Sequence, residues 1–178
     1  MNLTLDIHRS IRDTMADPPA DRLPRVGRPV RAAAMSVDIE VVQAVTDEIV
    51  KAFGRLLPQL SRSAPQLDAA ALTRLASWPG NQLLLARVDG EIMGALTLVT
   101  FPIPTGLRAW IEDVVVDEAS RGRGVGAALT REAVRRARAA GARTVDLTSR
   151  PSRAAANRLY ERLGFQLRDS NLYRLAAE

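Results

Sequence analysis

Apolar and polar positions first settle into a sustained rhythm at residues 38–45, where a period near two predicts a β-strand. Residues 46–60 then place apolar side chains at helical spacing behind Thr46-Asp47-Glu48, a helix-opening signature, and residues 67–76 predict a second helix. Trp78-Pro79-Gly80-Asn81 breaks the pattern. Strand-like runs at 82–88 and 91–101 flank Asp89-Gly90, which predicts a hairpin with a tight turn. Pro102-Ile103-Pro104-Thr105-Gly106 reads as a stiff loop before a strand over 108–116. From about Gly124 to Ala140 the pattern is helical, with Val125, Leu129, Ala133 and Ala137 on one face and Gly141 as a stop. The small residues of that face permit close packing on a sheet. Residues 144–148 predict another strand, and Ser152 is a cap for a helix over 153–163 that Gly164 ends. Residues 165–167 and 172–175 read as the last strands. The order β-α-α-β-β-β-α-β-α-β-β predicts an α/β (α+β layered) domain, with a mixed, mostly antiparallel sheet flanked by helices and one crossover helix.

Residues 1–34 stand apart. They are rich in Pro, Arg and Ala without an apolar period, and are expected to form a flexible N-terminal extension to a single domain over 35–178. Met35 is a second candidate start. The chain has no apolar run long enough to span a bilayer and no secretion signal at its N-terminus, so a cytoplasmic protein is expected. It has no cysteine, and its one histidine, His8, lies in the extension. That composition excludes cysteine nucleophiles and thiolate metal sites and disfavours histidine triads, leaving carboxylates, tyrosine, hydroxyls and backbone amides for any chemistry.

Charge is divided along the chain. Residues 35–120 hold 6 basic and 11 acidic side chains, a net −5, whereas residues 121–174 hold 13 and 4, a net +9. The basic half suits a polyanion. Its arginines flank a glycine-rich turn, Arg121-Gly122-Arg123-Gly124-Val125-Gly126-Ala127, set between a strand and a helix, and no aromatic-rich segment accompanies them. Glycines there let the backbone turn tightly and bring its N–H groups close to a phosphate, and the positive end of the following helix adds to the attraction. The expected ligand is a small phosphorylated cofactor rather than nucleic acid.

Gly122-x-Gly124-x-x-Ala127 also fits a dinucleotide fingerprint, with Asp146 about twenty residues on as a ribose-binding acid. In that motif the glycines follow the strand directly, whereas Asp117-Glu118-Ala119-Ser120-Arg121 intervene here. Roughly thirty residues remain after Asp146, too few for the other half of such a domain. A phosphate-binding P-loop lacks its Gly-Lys-Ser/Thr.

Arg121-x-x-Gly124-x-Gly126, preceded by Glu112-Asp113-Val114-Val115-Val116-Asp117 and followed by Ala156-x-x-Leu159-Tyr160-Glu161-Arg162-Leu163-Gly164-Phe165, resembles the GCN5-related N-acetyltransferase (GNAT) superfamily. The resemblance spans roughly residues 37–175 in element order. It implies acetyl-CoA as co-substrate and no metal. It further implies that Val114, Val115 and Val116 form a splayed strand whose backbone pairs with the pantetheine amides, and that Arg121, Gly122, Arg123, Gly124, Val125, Gly126 and Ala127 hold the pyrophosphate. Tyr160 matches the tyrosine that protonates the departing thiolate, a task suited to a phenol with an ordinary pKa of about 10. Where the family often carries Asn, this chain has Arg153. Asn157, one turn later on the same face, takes the amide contact in one reading; in the other, Arg153 binds the cofactor phosphates and Asn157 is an ordinary helix-surface amide.

The acceptor ammonium must lose a proton before it attacks, and Glu112 is the expected base, directly or through water, with Asp113 as acceptor anchor or fold stabiliser. On a regular strand these neighbours face opposite ways unless a bulge intervenes. Thr148 stands on the strand where some members place an acidic base, which favours the Glu112 region. Tyr173 and the 102–107 loop are expected to bear on acceptor choice. The acceptor is a small-molecule or peptide amine; neither nucleic acid nor membrane is an expected partner, and a homodimer is left open. The competing reading is a non-catalytic acyl-CoA sensor on the same fold.

Overall fold

Thr46 decides where the first helix begins. Its hydroxyl accepts from the Ile49 N–H at 3.4 Å, satisfying one of the amides that a helix leaves unpaired at its start. In the computed structural model, which describes residues 36–176, that helix is α1 (Asp47–Leu60), preceded by β1 (Val37–Val41). α2 (Ala69–Ser77) follows, capped by the Asp68 carboxylate on the Ala71 N–H at 2.7 Å. The expected extension, residues 1–34, and the alternative start at Met35 lie outside the described residues.

β2 (Asn81–Val88) and β3 (Glu91–Ile103) form the expected hairpin. Its turn takes positive φ at both central residues, 52° at Asp89 and 86° at Gly90, the geometry whose twist matches the strands it joins. β4 (Gly106–Val116) returns antiparallel to β3, and α3 (Val125–Ala139) crosses over to β5 (Val145–Leu147), parallel to β4. α4 (Ala154–Arg162) comes last. The sheet order is β1-β2-β3-β4-β5, mixed and mostly antiparallel as the sequence predicts.

Alternation along the strands sends residues to two cores. Leu83 and Leu85 pack with Phe53, Leu56 and Leu72 beneath α1 and α2, while Leu84, Ala86, Leu96 and Leu98 pack with Val125, Leu129, Ala133 and Ala137 of α3. The α3 stripe read from the sequence is the stripe that is buried. Its closeness to the sheet explains Gly94 of β3, where a Cβ would sit 3.0 Å from Val125 Cγ1 and 3.1 Å from Leu129 Cδ1.

Four readings need correction. The first strand ends at Val41, short of the expected residue 45. The 102–106 loop is a two-residue turn, because Ile103 pairs with Gly106 and leaves only Pro104 and Thr105 between β3 and β4. Arg153, not Ser152, occupies the N-cap of α4 and makes no side-chain cap bond. Residues 165–167 and 172–175 form no strand. Their apolar period is real, but a strand also needs a partner backbone, and Leu167 and Leu175 stand 102% and 97% exposed.

Candidate active site

β4 carries one residue too many for its partner. Thr97 pairs with Glu112 and Ala95 with Val115, so two steps of β3 oppose three of β4, and Asp113 takes φ 51° to absorb the excess. This bulge exchanges the faces of the strand: Ala109 and Ile111 belong to the α3-side core, whereas Val115 belongs to the α1-side core. Glu112 and Asp113, which a regular strand would send to opposite sides, both stand exposed on the wall of one cleft.

That cleft, about 900 Å³, exists because β4 and β5 part. Their pairing covers only Ala109–Val145, Trp110–Asp146 and Ile111–Leu147, so the β4 edge beyond Ile111 is free of β5. Along β4 the cleft is walled by Glu112, Asp113, Val114 and Val116; opposite stand Leu147, Thr148 and, from α4, Ala156, Leu159 and Tyr160. Val115 points away into the core and has only its backbone to offer.

The glycine turn forms the end of the cleft towards α3. Gly122 and Gly124 have φ 77° and 84°, and a Cβ at either would meet no protein atom within 4 Å. Glycine is required there by backbone shape, and the space it leaves opens to the cleft. Gly124 caps α3 without a side chain, so the first-turn amides of Val125, Gly126 and Ala127 are presented to that space, with Arg121 beside them. These groups suit a diphosphate. Arg123 turns elsewhere, to an ion pair with Asp89 at 3.5 Å, and is not on the cleft wall. Ser120 Oγ and Ser149 Oγ, both on residues of the wall, are buried without a hydrogen-bond partner among the described residues.

The turn is anchored from behind by Asp117, almost fully buried. Its carboxylate accepts from the Ala119 N–H at 3.0 Å and from Arg55 Nε of α1 at 2.9 Å, while Gln59 Oε1 accepts from the Glu118 N–H at 2.9 Å. The Ala119 N–H above all, then Arg55 and Gln59, outweigh burial and hold the Asp117 carboxyl below the ordinary aspartate value. A depressed folded-state pKa stabilises above the unfolded value near about 4 and is lost as pH falls through the folded one. Asp117→Asn is therefore expected to cost about 1–3 kcal/mol at neutral pH, with the gap to the parent closing in acid. Urea melts at pH 7 and pH 3 check it, and equal stability at pH 7 would contradict it.

Tyr160 lies half-buried on the wall, its ring edge-on to Phe165 with centroids 5.8 Å apart. Burial pushes its phenol above the ordinary value, with the nearby Arg153 charge opposing, so it is a neutral donor at physiological pH. No hydrogen bond engages its hydroxyl among the described residues. Arg153 reaches across the cleft to the Leu60 carbonyl at 3.3 Å, tying α4 to the end of α1. Asn157 instead donates to the Arg150 carbonyl at 3.1 Å, bracing the turn before α4, and does not line the cleft. Tyr173 is 87% exposed and off the wall, although its neighbours Leu172 and Arg174 are on it. Leu60, Ser61 and Arg150 also reach the wall, brought in by helix placement that local sequence does not reveal.

The split sheet beside the glycine turn thus carries a helix start without a side-chain cap at one end and a neutral phenol and two carboxylates along its walls. The chain belongs to the acetyltransferase (GNAT) family, whose sequence pattern matches residues 46–165. Members of this family use acetyl-CoA to acylate small-molecule or peptide amines. Among solved structures, the chain is similar to a transcriptional regulator from Bacillus halodurans C-125, at 27% identity over 79% of this chain and 100% of that one, with TM-score 0.68. An acetyltransferase from Trypanosoma brucei is 27% identical over 80% and 100%, with TM-score 0.66. A ribosomal-protein-alanine N-acetyltransferase from Brucella melitensis biovar Abortus 2308, at 22% identity over 80% and 100% with TM-score 0.65, shares the fold. Comparison with curated protein sequences finds no match. No helix among the described residues is long and apolar enough to cross a membrane.

Proposed function

We propose that this protein transfers the acetyl group of acetyl-CoA to a primary amine by direct attack, within the cleft between β4 and β5. The observation that carries the reading is the convergence of three features on one cavity: the glycine turn, the β4 edge beyond its pairing with β5, and the Tyr160 hydroxyl, which has no hydrogen-bond partner among the described residues. The amides from Gly122 to Ala127, with Arg121, hold the diphosphate, and the backbone of Val114 to Val116 takes the pantetheine as an added strand. Glu112 accepts the ammonium proton directly or through a water. The amine then attacks the thioester carbonyl, a β4 amide near Val114 faces the oxyanion, and Tyr160 protonates the thiolate as the C–S bond breaks. Asp113, beside Glu112 on the same wall, anchors the cationic acceptor. Arg153, rather than Asn157, serves the coenzyme side of the cleft.

A sensor would need only the turn and the groove. The neutral phenol and the two carboxylates on the same cavity favour the enzyme over that alternative. Release of free thiol from acetyl-CoA, followed across free amines, amino sugars and peptides, tests the reading; binding of the coenzyme with no transfer to any of these would favour the sensor.

Glu112→Gln is expected to slow transfer most at lower pH and to recover as pH rises, because an amine already deprotonated needs no base. Asp113→Asn is the internal control. A changed pH–rate profile for Asp113→Asn with an unchanged one for Glu112→Gln would move the base to Asp113.

A further inference from the structure

The Glu112 carboxylate has a hydrogen-bond partner on its own strand. On the regular part of β4, ahead of the bulge, Ala109 and Ile111 face the α3-side core, so Trp110 and Glu112 stand side by side on the opposite face. Trp110 Nε1 donates to Glu112 Oε1 at 2.6 Å, the short distance of a hydrogen bond to a charged acceptor. Among the described residues no donor reaches Oε2. The indole is only partly buried and does not itself line the cleft, whereas Glu112 does. An exposed glutamate otherwise samples many rotamers, and the residue after it departs from strand geometry, so neither solvent nor backbone would hold this carboxylate.

We infer that Trp110 is a positioning residue for the reaction: its indole N–H fixes one oxygen of Glu112 and leaves the other aimed at the acceptor ammonium or its water. The inference rests on Glu112 being the base. It predicts a role for the N–H alone, since Trp110→Phe keeps an aromatic body on the strand and removes only the donor and one ring. Its effect belongs in kcat, not in coenzyme binding, because Trp110 does not line the cleft.

The chain has 2 tryptophans, so a 15N-labelled sample gives two indole N–H signals, which Trp110→Phe assigns. Glu112→Ala is expected to move the Trp110 indole signal upfield while Asp113→Asn leaves it in place; an unmoved signal overturns the bond. In transfer assays Trp110→Phe is expected to lower kcat about tenfold with KM for acetyl-CoA unchanged, and to have no further effect in a Glu112→Ala background. If Glu112→Ala leaves kcat at the parent value, the base assignment falls and this inference with it. If Glu112→Ala is damaging but Trp110→Phe is harmless, or acts equally in both backgrounds, this inference alone is overturned.

Discussion

Tyr160→Phe is expected to lower kcat by about 100-fold or more while coenzyme affinity stays within a factor of two or so, the range for losing a general acid that meets the leaving group only as the bond breaks. The ring stays: its edge contact with Phe165 and its place on the cleft wall do not depend on the hydroxyl. The fold should be indifferent, because no hydrogen bond to that hydroxyl is lost among the described residues. Burial has already raised the phenol above its ordinary value, so the parent keeps its proton well into alkaline solution, and its rate should fall only as pH rises through that raised value. Single-turnover rates with saturating acetyl-CoA check this. An unchanged rate under conditions where chemistry limits would return Tyr160 to a packing role.

Gly124→Val is expected to weaken acetyl-CoA binding by about 100-fold or more, the loss of at least two charge-assisted hydrogen bonds from the α3 amides. Two effects of the substitution separate cleanly. Positive φ, 84°, strains any side chain by about 1–2 kcal/mol, and Gly124→Ala carries that strain too. Bulk is the other effect: a Cβ meets no protein atom within 4 Å, so alanine adds little beyond the strain, whereas the branched valine reaches further into the space proposed for the phosphates. Both variants should therefore lose some stability, and valine should lose more affinity than alanine. Calorimetric titration of folded Gly124→Val with coenzyme A decides it; parental affinity would mean that the anion cradle lies on other residues.

Much of this arrangement was legible because it is local. Thr46, Asp89-Gly90 and Gly141 mark element ends through their own backbone needs, and Val125, Leu129, Ala133 and Ala137 announce the buried face of α3 by spacing. The glycine turn could be read for the same reason. What escaped depends on partners far along the chain. The apolar alternation after Gly164 suggested strands, yet no partner backbone takes up residues 165–175, and Tyr173 stands in solvent as a result. Asn157 looked like a ligand from its helix position, but the turn made by Arg150 and Pro151 claims its amide. Arg123 belongs to the motif by sequence and to Asp89 by geometry, since the β2–β3 turn comes close to it. The bulge is the instructive case. Glu112-Asp113 does not announce an extra residue, because the excess is defined only by counting β4 against β3, and that count is what brings both carboxylates to one wall. The Trp110–Glu112 bond did have a signal: strand neighbours two apart share a face, and an indole there has one donor to place.

The central claim is that the space between the parted strands is a coenzyme site. Titration of the 178-residue chain with acetyl-CoA, with NAD in parallel, tests it most directly. Acetyl-CoA should bind saturably and, at about 100 times its dissociation constant, stabilise the fold by about 2.7 kcal/mol, raising Tm by roughly 5–10 °C, while NAD has no effect. A shift with NAD and none with acetyl-CoA would contradict the claim.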